Sequence, residues 1–104
     1  MALHAFGFIF TGRGLNPAED RTLIQRGDFR AVMVGVAEPS QAVAVAKELV
    51  ADGIELIELC GGFGPVWTGK IIEAIEGRVP VGSVGYGPES IDGMARLFPP
   101  APGK

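Results

Sequence analysis

Apolar runs alternate with stretches of helical spacing four times along this chain. Residues 3–10 are rich in Phe and Ile and end at Thr11-Gly12-Arg13-Gly14, which predicts a strand buried on both faces. Asn16-Pro17-Ala18-Glu19 offers a capping residue, a first-turn proline and an acid at the third helical position, which predicts a helix to about Arg26, stopped by Gly27. Residues 29–36 predict the second strand. Pro39 or Ser40 opens a second helix, with Val43, Ala46, Leu49 and Val50 on one face, closed by Gly53. Residues 54–60 predict the third strand. Pro65 starts a third helix with an apolar face of Ile71, Ile72 and Ile75, ended by Gly77. Residues 79–84 predict the fourth strand, and Pro80, which cannot donate to a ladder, suits an early or edge position. Gly85-Tyr86-Gly87-Pro88 turns the chain into a last helix over about 89–98. Residues 99–104 form a Pro-rich tail that is neither helix nor inner strand.

The order βαβαβαβα predicts an α/β fold in a single small domain, residues 1–98, built on a four-stranded parallel sheet with right-handed crossovers. An open, flavodoxin-like sheet of order 2-1-3-4 fits. So does a half (βα)-barrel, which would need a second copy to cover its edges. The open sheet is favoured, because a lone half-barrel leaves a large apolar concavity wet.

Composition narrows the function classes. The chain has 104 residues, of which 47% are hydrophobic, with mean hydropathy +0.30. That is high for one small domain, so part of the excess is expected in a homo-oligomer interface, a dimer or larger. The net charge is −3 and the nine basic residues are scattered, so neither nucleic acid nor an anionic membrane is an expected partner. One cysteine makes no internal disulfide, which fits a reducing, cytoplasmic setting. The N-terminal residues carry no positive leader, and the apolar run behind them is broken by Gly7. Neither a signal peptide nor a membrane span is expected.

The richest segment is 54–65, Ile-Glu-Leu-Ile-Glu-Leu-Cys-Gly-Gly-Phe-Gly-Pro. It reads as a strand running through a glycine loop into a helix. In a parallel sheet all strand carboxyl ends share one rim, where the glycines gather and helix N-termini favour an anion. In the 2-1-3-4 order the crevice opens between the first and third strands. Thr11, Gly12 and Arg13 should therefore face Cys60, Gly61 and Gly62, with Phe63, Gly64 and Tyr86 completing a ligand site. Glu58 alternates with Leu56 and Ile54. If buried there, its carboxyl would be pushed toward neutrality and suited to acid/base work. A structural hydrogen bond or a pairing with Arg13 is the alternative. Glu55, near the strand's start, reads as a rim or salt-bridge residue. Cys60 precedes a helix N-terminus, which can activate a thiol, but the single histidine, His4, lies early in the first strand and gives it no base. Phe63 and Trp67 could wall a pocket or meet another subunit. With one His, one Cys and no clustered carboxylates, no metal site is expected, and the glycines match neither a dinucleotide fingerprint nor a P-loop, so no cofactor is implied.

Glu58-Leu59-Cys60-Gly61-Gly62-Phe63-Gly64, followed by Val79-Pro80-Val81-Gly82, resembles a family of small bacterial proteins known only as a domain of unknown function. That likeness spans nearly the whole chain and implies no activity. Residues 41–58 are also similar to a helix–strand unit of the 2-keto-3-deoxygluconate-phosphate aldolase barrels. There the matching position to Glu58 is a proton-shuttling glutamate. That family's threonine and arginine would fall on Cys60 and Gly62. Lys47 and Lys70 lie on helices and Lys104 in the tail, so imine chemistry does not follow. The expectation is a small-molecule site, for an anionic or carbonyl compound, at the carboxyl rim of the sheet. It would serve a cofactor-independent isomerase or lyase using Glu58, or a metabolite-binding or regulatory module, or else the chain is a homo-oligomeric assembly protein.

Overall fold

Strand β1 (Ala5–Thr11) lies at the centre of a five-stranded sheet in the computed structural model, which describes residues 2–100. β2 (Arg21–Arg26), β3 (Phe29–Val36), β4 (Leu56–Leu59) and β5 (Val81–Ser83) complete it in the order β2-β3-β1-β4-β5. Three helices accompany the sheet: α1 (Ala42–Ala51), α2 (Gly64–Ala74) and α3 (Ile91–Leu97). β3, β1, β4 and β5 are parallel and take the relative order expected for the four sequence-predicted strands, with Pro80 just outside the edge strand. The sheet is open, with β2 and β5 at its edges, so the half-barrel alternative is not realised.

The all-parallel, four-stranded sheet is corrected in one respect. The segment expected as the first helix is β2, antiparallel to β3, and the sheet is mixed. The helix-start signal at Asn16 is spent on a single turn. The Glu19 and Asp20 amides donate to the Asn16 carbonyl at 3.0 and 2.7 Å, the Ala18 amide donates to Asn16 Oδ1 at 3.0 Å, and the Asn16 amide donates to Asp20 Oδ2 at 2.7 Å. The run Thr22-Leu23-Ile24 then pairs with β3, where β-branched side chains suit a pleated ladder. Arg26 and Phe29 are cross-strand partners, so Gly27-Asp28 is a two-residue hairpin loop. Gly27 has φ 58° and Asp28 does not enter positive φ, the pattern of a II′ turn.

Period-two alternation sets the packing. On β1, Ala5, Gly7 and Ile9 are buried, whereas Phe6, Phe8 and Phe10 are half-buried on the other face. The buried face continues through Val34, Val36, Ile57 and Leu59 and is sealed by Ala42, Val45, Ala46 and Leu49 of α1 and by Ile71 of α2. α1 can approach β1 closely because Gly7 has no side chain. A Cβ there would stand 3.0 Å from Leu49 Cδ1 and 3.1 Å from Ile54 Cγ2. α1 and α2 touch each other, so both lie on this one face. The expectation that β1 is covered on both faces is therefore corrected: the element that would have covered the second face is β2, which extends the sheet instead. α2 also buries a narrower stripe than expected, since Ile71 and Ile75 are buried and Ile72 is exposed. Pro99 and Pro100 are exposed and irregular, and residues 101–104 of the expected tail lie outside the described residues. No helix of the described residues is long and apolar enough to cross a membrane.

Both long helices close with the same motif but unequal residues. In α1 the Ile54 amide donates to Leu49 O at 2.9 Å and the Gly53 amide to Val50 O at 3.1 Å, with Gly53 at φ 90°. In α2 the Gly77 amide donates to Ile72 O and the Glu76 amide to Glu73 O, both at 3.0 Å, and the left-handed position is held by Glu76 at φ 58°. A side chain costs about 1–2 kcal/mol there. Gly53→Ala is expected to destabilise the domain by about 1–2 kcal/mol, and Glu76→Gly to stabilise it by up to about 1 kcal/mol, offset in part by the freer unfolded chain. Urea unfolding with an unchanged m-value measures both; a destabilising Glu76→Gly would contradict the motif.

The β2–β3 hairpin is tied to α1 by Arg21, whose guanidinium donates to Glu48 Oε2 at 2.6 Å and Oε1 at 3.3 Å. The hydrogen bond from Arg21, aided by its charge and opposed by slight burial, holds the Glu48 carboxyl below the ordinary glutamate range. A carboxyl depressed on folding contributes stability above its unfolded pKa and loses it as pH falls through its folded value. The pair is largely exposed, so the contribution is about 0.5 kcal/mol or less. Arg21→Ala should lower stability by that amount more at pH 7 than once Glu48 is protonated in both folded and unfolded chains, since the hydrogen bond from Arg21 Nε to Pro17 O, at 2.8 Å, is lost at either pH. Unfolding curves at the two pH extremes test it; an equal loss at both would assign the effect to that bond and to packing of the arginine stem.

Candidate ligand cleft at the carboxyl rim

The parallel register brings the ends of four strands to one rim: Thr11 pairs with Val36, Ile9 with Leu59, and Leu59 with Ser83. Between the ends of β1 and β4 the chain leaves the sheet through Cys60-Gly61-Gly62-Phe63. The Cys60 amide donates to Ile9 O at 3.1 Å, which keeps it on the β1 ladder, and the Thr11 amide donates to Cys60 Sγ at 3.3 Å. Thr11 Oγ1 stands 3.5 Å from the same sulfur. The thiol and the hydroxyl thus meet across the crevice where strand winding reverses, the place where open α/β sheets hold ligands.

The glycines there are required by close approach. A Cβ on Gly61 would lie 2.5 Å from Tyr86 Cε2, and one on Gly62 would collide with Thr11 Oγ1. Tyr86 therefore lies against the Gly61 backbone. α3 then brings Met94 and Phe98 over the opening. The result is a cleft of about 360 Å³ lined by Thr11, Cys60, Gly61, Gly62, Tyr86, Met94 and Phe98. Gly12, Arg13 and Glu38 line an adjoining groove that shares Thr11 and Phe98 with it. Leu15 plugs the base of that loop, packed where a Cβ on Gly12 or Gly35 would otherwise sit.

Of the residues singled out by sequence, Thr11, Cys60, Gly61, Gly62 and Tyr86 converge on the cleft, and Gly12 and Arg13 border it. Three do not join them. Phe63 is 3% exposed within the core, because the Phe63 amide turns back to Cys60 O at 3.3 Å and carries the ring under the loop. Gly64 opens α2 at φ 66° and accepts the Thr68 hydroxyl at 2.7 Å on its carbonyl, outside the cleft lining. Glu58 is exposed. It pairs in register with Phe8 and Gly82 and so lies on the face opposite α1 and α2, while its neighbours Ile57 and Leu59 enter the core. The expected desolvation of Glu58 does not occur, and Glu58 is not among the cleft residues. The expected pairing with Arg13 is not made either: the ion pairs among the described residues are His4–Asp28, Arg21–Glu48 and Arg78–Glu76.

Glu55 and Trp67 do not line the cleft. Glu55 is a rim residue, accepting the His4 and Ala5 amides at 2.7 and 3.0 Å, and these bonds hold its carboxyl below the ordinary range. Trp67 packs partly against the core and carries the Lys70 ammonium 4.3 Å from its ring centroid. Among the described residues no group of three or more His, Cys, Asp or Glu could hold a metal ion. Met94 and Phe98 were missed as cleft residues. Their i, i+4 spacing marks one face of the last helix, but nothing in the sequence says that this helix crosses the rim.

A family model described as "Family of unknown function (DUF6506)" matches residues 4–99. The chain belongs to this family. No curated protein and no solved structure matches it. The DUF6506 assignment thus spans β1 to the end of α3 and includes every residue of the cleft.

The cleft geometry makes one local prediction for this DUF6506 domain. Tyr86→Ala should speed the reaction of Cys60 with an aromatic disulfide reagent, because the ring resting on Gly61 shields that side of the thiol. Glu58→Gln, on the other face, should leave the rate unchanged. Stopped-flow thiol titration measures both, and an unaltered rate in Tyr86→Ala would contradict the placement of the ring.

Proposed function

We propose that this protein binds a small organic anion or carbonyl compound at the carboxyl rim and does not transform it through Glu58. The observation that carries this reading is the convergence of the Thr11 hydroxyl, the Cys60 thiol and Tyr86 on one cleft whose remaining wall, Met94 and Phe98, is apolar. A few polar groups against an apolar wall are what orient a small ligand. Arg13, in the adjoining groove, is placed to neutralise a negative group reaching over Thr11. Glu58 supports binding over isomerase or lyase chemistry by its position, because a proton shuttle must reach the bound molecule and this exposed carboxylate is not among the residues that line the cleft.

The test is a thermal-shift screen of short-chain carboxylates, phosphate esters, ketones and aldehydes, followed by calorimetry of the hits. At least one class should raise the Tm of the parent protein. A ligand at about 100 times its Kd adds about 2.7 kcal/mol of stability. Tyr86→Ala and Gly62→Val should weaken that ligand at least about tenfold, while Glu58→Gln binds it as the parent does. A ligand whose binding or turnover needs Glu58 and ignores Tyr86 would overturn the reading.

A further inference from the structure

Among the described residues, neither long helix covers the second face of the sheet. Phe6, Phe8 and Phe10 of β1, Ala31 and Met33 of β3, and Leu56 of β4 share it by register, and each is half-buried rather than covered. Ile24 at the β2 side is 57% exposed. Both long helices are on the other face. We infer that this face is the interface of a homodimer, occupied by the same face of a second copy.

Three features select a second copy. The first is area. Four strands spaced about 4.8 Å apart, each of about six residues rising about 3.3 Å, make a patch of roughly 20 by 20 Å, on the order of 400 Å² in projection. The accessible area of a patch formed by side chains is greater than its projection. That approaches the roughly 600–800 Å² each partner contributes to a small stable interface.

The second is shape. The face carries a ridge and a hollow side by side. The ridge is the β1 phenylalanines, with the Phe8 and Phe10 rings stacked at 6.0 Å. The hollow, about 200 Å³, lies toward β2 and is lined by Phe10, Thr22 and Met33, with Asp20 and Arg21 at its edge. A two-fold axis parallel to the strands and passing between β1 and β3 sets each ridge over the other copy's β3 side, so one surface provides both halves of the fit.

The third is charge. The charged side chains of the face lie at its two margins, Glu58 on β4 and, across β1 and β3, Arg26 on β2 and Asp20 just before it. β1 and β3 between them present no charged side chain on this face, which gives the patch the apolar centre and polar rim of an interface. Gly82, beside Glu58, has no neighbour where its Cβ would be, which leaves the carboxylate an open path to water at the β5 edge.

Sedimentation velocity of the parent protein from 1 to 100 μM should show a species of about twice the 10.9 kDa chain mass. Ile24→Glu and Met33→Glu should each weaken dimerisation roughly 30-fold or more, with an unchanged circular dichroism spectrum. Ile24 is exposed in the single chain, so its variant keeps the fold and separates dissociation from unfolding. Leu97→Glu, on the 73% exposed outer side of α3, should leave the dimer intact. A parent monomeric at 100 μM overturns the inference. So does a dimer that survives both sheet substitutions, or one that only Leu97→Glu dissociates, which would place the contact on α3.

Discussion

The burial of one face of β1 against α1 governs this domain. β1 is the middle strand, and Ile9 lies at its centre with Val34 and Leu59 on the flanking strands and Leu49 above. Gly7 lets the helix come down onto that strand, so the absence of a side chain at one position allows apolar contact at several others. The buried contacts hold β3 and β4 in parallel register on either side, and that register places the carboxyl ends of β1 and β4 next to one another. The rim crevice is thus a consequence of core packing, since Thr11 sits two residues beyond buried Ile9 and Cys60 directly follows buried Leu59.

The periphery is held less firmly. α3 has seven residues, none of them buried, and Ile91 and Phe98 are largely exposed. Elements with few buried contacts open at low free energy. A wall of this kind suits a cleft that must admit a ligand, whereas the opposite wall, the Cys60–Gly62 backbone, is fastened to the β1 ladder. Rigid donors on one side and a yielding apolar cover on the other unite the binding reading with the packing of the fold.

Replacement of a crossover helix by the β2–β3 hairpin has a second effect. A doubly wound sheet hides both faces, but this one has its two long helices on a single face and phenylalanines on the other. The high apolar content of the chain and the phenylalanine face of the sheet have the same origin. Glu58 is where the two requirements meet. It is the acid at the β4 margin of a surface of Phe, Met, Ala and Leu, and it stands beside Gly82.

Local signals were enough to read most of the architecture. Apolar runs bounded by glycine marked β1, β3, β4 and β5, Gly53 marked the end of α1, and the clustering of Thr11, Gly61, Gly62 and Tyr86 followed from parallel strands sharing a rim. The first helix was misread because Asn16-Pro17-Ala18-Glu19 closes a turn equally well whether a helix or a strand follows, and Gly27-Asp28 was a hairpin signal in competition with it. The alternation of Leu56 and Glu58 against Ile57 and Leu59 was also legible, but not which side would be covered. Periodicity is a property of neighbouring residues in one strand. Cover is decided by elements distant in the chain, and only their packing left Glu58 in water, drew Phe63 into the core and carried Met94 and Phe98 over the rim.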